Sequence, residues 1–407
     1  LFLFGVWIFA GFQSSGIEEG AILIAAAIIG GYMALNIGAN DVANNVGPAV
    51  GSKAITLIGA LIIAAIFEAS GAIIAGGDVV TTVSKNIIDA NAVASKSMFI
   101  WAMMAALLSA AIWVNFATWI GAPVSPTHSI VGGVMGAGIA AGGFAAVNWP
   151  VMGAIAASWV ISPVLGGLIA AAFLAFAKFF ILYKEDKIVA SKKWVPVLVA
   201  ILAGAFSIYL VTKGLKRIWK PDMGVALAIG AVAFIIAYAL VKPAVVKAAS
   251  NLPNRRKSVS DLFTIPLICA AALLSFAHGA NDVANAVGPL AAIVSAVTVG
   301  TVAAKVTLPL WVLVVGAFGI SIGLVLYGPK IIEIVGEKIT KLNRVRAFCV
   351  ALSAAITVII ASTLGLPVSS THIAVGAIFG VGFLREFLVN MGKNQFSPMA
   401  IGAEVSL

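Results

Sequence analysis

The stretch GANDVANNVGP at residues 38–48 returns almost unchanged as GANDVANAVGP at residues 279–289. Ten of the eleven positions are identical, at an offset of 241 residues. A second pair follows in the same order, PVSPTH at 123–128 and PVSSTH at 367–372, at an offset of 244. Matching segments at a nearly constant spacing are typical of an internal repeat. The sequence therefore predicts two copies of one structural unit.

The composition around these strings is that of a membrane protein. Hydrophobic residues make up 62% of the 407 positions and charged residues only 10%, whereas soluble domains are about 25% charged. This much apolar surface excludes a soluble enzyme, a secreted disulfide scaffold and a disordered protein. The net charge of +10 does not indicate a nucleic-acid partner, because the basic residues cluster in short breaks between apolar runs. The predicted partner of the apolar surface is the lipid bilayer.

Continuous apolar runs predict an all-α polytopic membrane protein. Since a helix that crosses a bilayer needs about 20 mainly apolar residues, we predict about ten to twelve membrane helices, including broken helices and re-entrant hairpins. A β-barrel is disfavoured because its strands would alternate apolar and polar residues. The predicted organisation is an N-terminal helix (expected to lack upstream residues) and outer loop at 1–19, repeat 1 at 20–183, connecting helices and a basic loop at 184–261, repeat 2 at 262–390, and a C-terminal segment at 391–407.

The charges of the loops indicate that the two repeats have opposite orientations. Loops 184–193, 242–257 and 329–346 are strongly basic, which places them in the cytoplasm. Loop 78–97, which precedes PVSPTH, is nearly neutral, whereas the equivalent loop 329–346 before PVSSTH is basic. Equivalent loops on opposite faces predict inverted-topology repeats, which place the substrate near the bilayer midplane. The basic loop 213–222 disagrees, since the path along the chain puts it outside.

The repeated acidic strings predict cation sites. Asp41 and Asp282 lie in apolar surroundings, where a carboxylate is a functional candidate by default. The flanking glycines and prolines are expected to loosen or break each helix and free backbone carbonyls. Oxygen ligands of this kind fit a hard cation such as Na⁺; an Asp-Asn pair that caps a helix end is the structural alternative. The predicted ligands are Asn40, Asp41, Asn44, Asn281, Asp282 and Asn285.

The Ser/Thr strings predict helix N-termini that bind an anion. Ser125 followed by Pro126 is typical of an N-cap and the first helical residue, so one helix should begin at 125 and a parallel one at 369. Such ends offer free N–H groups and a positive dipole end. Ordinary capping of two membrane helices is the alternative. The residues predicted to hold a tetrahedral oxyanion are Ser125, Thr127, Ser369, Ser370 and Thr371.

Charge balance predicts that cations accompany the anion. No Arg or Lys occurs within the four strings, so two buried aspartates (−1 each) and a divalent anion (−2) would carry an uncompensated −4 near the midplane. Two or three Na⁺ ions, or protons on the aspartates, would balance it. His128 and His372 are expected to orient their loops by hydrogen bonding, with a proton relay as the alternative. Glu68 is a candidate for an extra cation site or a gate, and its counterpart in the second copy is read as Pro309.

Together these strings resemble the inorganic phosphate transporter family, often called PiT. The duplicated GANDVAN string carries the resemblance, and hydrophobic segments in matching order extend it over most of the chain. The resemblance implies inverted repeats, symport of phosphate with Na⁺ or H⁺, frequent dimers, and a site lined by the four strings. Pro126 departs from the motif, which usually has Ser or Thr there, so the first copy lacks one hydroxyl. Because the family includes sulfate permeases, the resemblance leaves the anion open.

The sequence thus predicts a secondary transporter, not an enzyme. We expect cation-coupled symport of inorganic phosphate, with Na⁺ favoured, by alternating access across the cell inner (cytoplasmic) membrane, in a homodimer and without a cofactor. An H⁺-coupled phosphate permease or a sulfate permease of the same family is the alternative. An intramembrane hydrolase built on Ser125, His128 and an aspartate is disfavoured because it would not need mirrored copies. A passive channel would not need acidic cation ligands.

Overall fold

The protein is an assembly of long α-helices. The computed structural model describes residues 1–89, 92–214, 219, 221–299, 308–333 and 342–395. Within these ranges, ten helices are long and apolar enough to cross a membrane, and the all-α prediction is confirmed. The helices are, in chain order, α1 (Phe2–Gln13), α2 (Gly20–Gly51), α3 (Leu57–Ala75), α4 (Gly77–Thr81), α5 (Lys96–Ile120), α6 (Pro126–Gly142), α7 (Trp149–Ala177), α8 (Lys187–Tyr209), α9 (Met223–Ala248), α10 (Arg256–Leu262), α11 (Thr264–Val299), α12 (Leu310–Glu333), α13 (Arg344–Thr363) and α14 (Ser370–Gln395).

Both Ser/Thr strings begin helices, as predicted. Ser125 caps α6, and its hydroxyl accepts a hydrogen bond from the backbone N–H of His128. Ser369 accepts an equivalent bond from the N–H of His372 at 3.2 Å. Such caps satisfy one of the N–H groups that the first turn of a helix leaves unpaired. Ser followed by Pro was thus a reliable signal for the start of a helix inside an apolar region.

Each Ser/Thr string lies at the tip of a helical hairpin. In the first hairpin, an antiparallel bridge between Ile88 and Val147 ties the segment before α5 to the segment after α6. In the second, Arg346 near the start of α13 lines the same pocket as Arg385 on α14. In each hairpin, the second helix therefore ends on the side of the molecule at which the first helix begins. The first opens beside the nearly neutral loop and the second beside the basic one, an arrangement that fits the inverted repeats predicted.

The two acidic strings lie inside unbroken helices. α2 continues through Pro48 to Gly51, and α11 continues through Pro289 to Val299. The prediction that these strings break their helices is wrong, because the chain breaks at the hairpin tips instead. A membrane helix tolerates a proline when neighbouring groups satisfy the carbonyl that it frees. The glycines of the strings serve a different purpose, which is close packing.

Glycines let the two repeats pack backbone against backbone. A Cβ atom added to Gly38 on α2 would lie 2.0 Å from the carbonyl oxygen of Ile320 on α12. A Cβ added to Gly279 on α11 would lie 2.1 Å from the carbonyl oxygen of Glu68 on α3. Because the two glycines hold the same position of the repeated string, Ile320 is the structural counterpart of Glu68. The assignment of Pro309 was wrong, since the stretch from string to helix is eleven residues longer in repeat 2.

Substitution of Gly279 by Ala should prevent α11 from packing closely against α3. The new methyl group would overlap a backbone carbonyl that cannot rotate away, and overpacking a buried site typically costs about 1–3 kcal/mol or more. The matched control is Gly132→Ala, where an added Cβ meets no atom within 4 Å. Fluorescence-detected size-exclusion chromatography and the thermal unfolding midpoint in detergent check this. A G279A protein as monodisperse and as heat-stable as G132A would contradict the packing account.

Candidate functional site

The two repeats exchange side chains at the centre of the molecule. Asn44 of repeat 1 donates a hydrogen bond to the hydroxyl of Thr371 in repeat 2, at 2.9 Å. Asn285 of repeat 2 donates to the hydroxyl of Thr127 in repeat 1, at 3.0 Å. All four side chains are buried. Each acidic string is thus joined to the Ser/Thr string of the other repeat. We call this buried polar cluster, to which both halves contribute, the central chamber.

Asp41 is tied into this crossing arrangement. Its Oδ1 atom accepts hydrogen bonds from the hydroxyl of Thr371 at 3.0 Å and from Asn44 Nδ2 at 3.1 Å. Asp282, its counterpart, is equally buried, yet its Oδ1 atom and the Oδ1 atom of Asn285 accept no hydrogen bond from the residues that the structure describes. Buried oxygens without a donor are costly unless a cation or a water faces them.

Asn40 and Asn281 act as clamps on the hairpin tips. Asn40 donates to the hydroxyl of Thr118 at 3.0 Å and accepts from the backbone N–H of Val124 at 3.0 Å. Asn281 repeats this pattern, donating to Ser362 Oγ at 2.9 Å and accepting from the N–H of Val368 at 3.4 Å. Both ends of each amide are therefore used to position the tip. Their predicted role as direct cation ligands stays a prediction.

The N-termini of α6 and α14 lie side by side at the hairpin tips. The hydroxyl of Thr127 donates to the carbonyl oxygen of Val368 at 3.0 Å, and that of Thr371 lies 3.3 Å from the carbonyl oxygen of Val124. Each tip therefore holds the first turn of the other helix. Ser370 Oγ is buried and makes no hydrogen bond with a described residue. Two positive dipole ends and a free hydroxyl suit an oxyanion.

His278 joins the acidic residues of both repeats. Its Nε2 atom lies 3.3 Å from Asp41 Oδ2 and 3.4 Å from Asp282 Oδ2, and its Nδ1 atom lies 3.1 Å from Glu68 Oε2. All four side chains are fully buried. Asp41, His278 and Asp282 also offer ligand atoms within 4.8 Å of one another, close enough to share one metal ion. The two aspartates thus meet in a single chamber, which the sequence argument required.

With this geometry in place, the chain can be compared with known proteins. A model described as the phosphate transporter family matches residues 37–401. The chain belongs to this family. The family and its members are described as transporters and permeases, so the protein is a transporter and not an enzyme. Together with this family, the ten apolar helices in the described part of the chain identify it as a multi-pass membrane protein.

Relatives of this phosphate transporter family member cover nearly its whole length. A protein of Helicobacter pylori (strain J99) described as a phosphate permease is 55% identical over 98% of this chain and 75% of its own length. A chloroplast inorganic phosphate transporter of Arabidopsis thaliana is 37% identical over 92% of this chain and 68% of its own length. A solved structure of a sodium-dependent phosphate transporter is 39% identical, covers 91% of this chain and 92% of its own, and has a TM-score of 0.86.

A polar network that was not predicted from the sequence lies between α2, α3 and α11, and the equivalent positions of the other repeat are apolar. Asn45 donates to Glu68 Oε1 at 2.8 Å, and Glu68 Oε2 faces His278. All three residues occupy positions at which the other repeat is apolar. Ala286, Ile320 and Ile37 are the respective counterparts. Residues that are identical in the two copies pointed to the candidate site. This network instead occupies positions at which the copies differ, and those differences were the sequence signal for it.

The histidines predicted to orient the tips lie beside the chamber. His128 Nδ1 is 2.7 Å from the hydroxyl of Ser125, and its ring centroid is 3.7 Å from that of Trp159. The rings of His128 and His372 face each other edge-on, with centroids 4.7 Å apart. His128 thus contacts the capping serine of its own tip. This position is compatible with the predicted orienting role.

The charge balance of the chamber differs from the one predicted. The four strings contain two carboxylates and no Arg or Lys. The structure adds a third carboxylate, Glu68, and one imidazole, His278. Even a protonated His278 would offset only one of the three negative charges. The excess of negative charge stays a prediction, with a different set of contributors.

Proposed function

We propose that the protein carries inorganic phosphate across the cytoplasmic membrane together with Na⁺, by alternating access. One observation supports this most strongly: three buried carboxylates from both repeats surround His278, and one of them, Asp41, accepts a hydrogen bond from Thr371 in the first turn of α14. Acids would repel an anion there unless cations bound with it. Shared construction by two inverted units is typical of carriers that expose one site to either face.

The charges in the chamber favour coupled cations. When ionised, Asp41, Glu68 and Asp282 carry three negative charges, of which a protonated His278 offsets one, and a divalent phosphate would add two more. Each helix N-terminus offsets only about half a charge, and unpaired charge inside a membrane costs several kcal/mol. Bound cations supply the missing positive charge, so phosphate and cations favour each other's binding. This mutual dependence is the physical basis of symport.

Na⁺ would bind at the oxygens that lack hydrogen-bond donors. Asp282 Oδ1 and Asn285 Oδ1 are one helical turn apart on α11 and both are buried without a donor among the described residues. On the repeat 1 side, Asp41 and Asn44 stand at the equivalent positions. Hard cations prefer such carboxylate and amide oxygens. Glu68, which exists in repeat 1 only, would serve a further cation or act as a gate.

Phosphate would bind between the first turns of α6 and α14. Backbone N–H groups there point toward the chamber end of each helix, and Thr127, Ser370 and Thr371 add hydroxyl groups. Ser125 and Ser369 contribute by capping, which fixes the turn that presents the N–H groups. Because Pro126 stands where repeat 2 has Ser370, phosphate would depend more on repeat 2.

Ser370→Ala should raise the KM for phosphate about tenfold with little change in the KM for Na⁺. The hydroxyl has no hydrogen-bond partner among the described residues, so its loss would remove a contact to phosphate without breaking an internal one. A hydrogen bond to a charged group contributes about 1.5–3 kcal/mol, and 1.4 kcal/mol corresponds to tenfold. Ser109→Ala, at an exposed serine of α5, is the control. An unchanged phosphate KM in S370A would refute this role.

Uptake into proteoliposomes tests the proposed function. Purified full-length chain is reconstituted, and uptake of labelled phosphate is measured with an inward Na⁺ gradient, with an inward H⁺ gradient, and with neither. The proposal predicts accumulation above equilibrium only with the Na⁺ gradient, and no competition by sulfate at equal concentration. Accumulation driven by H⁺ alone would reject Na⁺ coupling. Competition by sulfate at equal concentration would reject phosphate as the preferred anion.

The proposed homodimer and cellular membrane are tested separately. Mass photometry of the detergent-solubilised chain should give twice the mass of 41.5 kDa plus detergent. Fractionation of cells that express the chain should place it with the cytoplasmic membrane. A single-chain mass at all concentrations would reject the homodimer without touching the transport proposal, because each chain contains a whole chamber.

A further inference from the structure

A basic pocket lies at the open end of the second hairpin, away from the central chamber. It has a volume of about 250 Å³ and is formed by the end of α7, the short helix α10 and the ends of α13 and α14 that are remote from the hairpin tip. Five basic side chains line it and none of its lining residues is acidic. They are Lys178, Arg256, Lys257, Arg346 and Arg385.

An ion pair holds the wall of this pocket in place. Asp261 on α10 pairs with Arg344 at the start of α13, which joins two of the helices that form the pocket. Asn343 lines the pocket and caps α13 by accepting a bond from the N–H of Arg346 at 3.0 Å. Basic groups brought together in this way repel one another, and an anion between them would relieve the repulsion.

An apolar groove continues from the pocket along the same two helices. Its volume is about 540 Å³, and it lies between residues 163–171 of α7 and residues 376–387 of α14. Its floor is made where α7 and α14 touch: a Cβ added to Gly380 would lie 2.0 Å from the carbonyl oxygen of Gly167. Exposed phenylalanines form one wall, namely Phe379, Phe383 and Phe387.

Groove and pocket adjoin on both helices. On α7, Ala171 lines the groove and Leu174, less than one turn further, lines the pocket. On α14, the neighbours Leu384 and Arg385 line the groove and the pocket respectively. The surface is therefore apolar along the membrane-spanning part and strongly basic at its end. Basic pockets between membrane helices on the cytoplasmic side are suited to anionic lipid headgroups.

We propose that this surface binds one anionic phospholipid, with its phosphate in the basic pocket and its acyl chain in the groove. A free phosphate ion would use only the pocket and would gain nothing from the groove. A zwitterionic lipid would use the groove but would carry no net charge to balance five basic residues. The combination of both features selects an anionic lipid.

Native mass spectrometry of the full-length chain tests this proposal. Phosphatidylglycerol, phosphatidylcholine or inorganic phosphate is titrated into the detergent-solubilised protein and the retained molecules are counted. Each basic residue near an anionic headgroup contributes about fivefold in affinity. The variant R256Q/K257Q/R385Q should therefore bind phosphatidylglycerol with at least about tenfold lower affinity. The control K192Q/K193Q/K247Q has the same change in net charge outside the pocket, and its affinity for phosphatidylglycerol should stay within about twofold of that of the unchanged protein.

A second variant separates lipid from free phosphate. Ala171→Phe fills the groove and leaves all five basic residues in place, so it should also weaken phosphatidylglycerol binding. The thermal midpoint of each variant in lipid-free detergent confirms that it is folded. Equal retention of phosphatidylcholine, or full retention of phosphatidylglycerol by the pocket variant, would overturn the proposal. A third pair of results would also overturn it: the pocket variant loses binding of inorganic phosphate, and A171F retains phosphatidylglycerol as well as the unchanged protein does.

Discussion

Asp41→Asn should reduce phosphate uptake at least a hundredfold while the protein stays folded. Asparagine keeps the oxygen that accepts hydrogen bonds from Thr371 and Asn44, so the crossing contact between the repeats persists. The negative charge that would hold a cation is lost. Removing one partner of a buried charge pair costs about 2–5 kcal/mol, and about 3 kcal/mol corresponds to a hundredfold. The initial rate of labelled phosphate uptake into proteoliposomes under a Na⁺ gradient measures the effect.

The matched control for this substitution is Asp222→Asn. Asp222 is an exposed N-cap of α9 that accepts a bond from the N–H of Val225 at 2.9 Å, and Asn caps helices equally well. Uptake by D222N should stay within about twofold of the unchanged protein. If D41N transported phosphate within threefold of D222N at an equal thermal midpoint, Asp41 would have no part in coupling.

His278→Ile should unfold the protein at markedly lower temperature and abolish transport. Ile is the residue that repeat 1 carries at the equivalent position, so the change is tolerable in size. It would leave Asp41, Glu68 and Asp282 buried together with no imidazole between them. Breaking a buried ion pair by removing one partner costs about 3–5 kcal/mol. The thermal midpoint in detergent and the rate of phosphate uptake measure the two effects.

Restoring the symmetry of the repeats separates stability from transport. In N45A/E68I/H278I, each member of the one-sided network takes the residue of its apolar counterpart. Glu68 is one of the three carboxylates that H278I leaves without an imidazole. Because replacing buried charged groups by apolar ones is often neutral or stabilising, the thermal midpoint should recover in part relative to H278I. Transport should remain lost, because the third carboxylate is gone. Uptake at the unchanged rate in this triple variant would exclude the network from ion binding.

The sequence predicted the part of the site that the repeats share. Identical strings pointed to Asp41 and Asp282 and to the tips at Ser125 and Ser369, because duplication of rare polar residues in apolar helices is a strong local signal. The helix starts were equally clear, since N-caps depend on neighbouring residues only. These features need no knowledge of which helices touch.

Contacts between distant helices were not predictable in the same way. Gly38 was expected to break α2, yet it packs against the backbone of α12, a contact that depends on how helices far apart in sequence approach. The eleven additional residues before Ile320 hid its equivalence to Glu68. His278 escaped notice because it lies one residue outside the repeated string, although its counterpart, Ile37, already showed that the copies differ there.

We infer that cations and phosphate occupy one chamber built by both repeats. Cryo-electron microscopy of the chain with Na⁺ and phosphate would show the position of both. We expect tetrahedral density between the first turns of α6 and α14, flanked by ions that carboxylate oxygens of Asp41 and Asp282 coordinate at about 2.3–2.6 Å, the range for a hard cation of this size. Phosphate density elsewhere, or phosphate at the helix N-termini with no ion at either aspartate in saturating Na⁺, would contradict it.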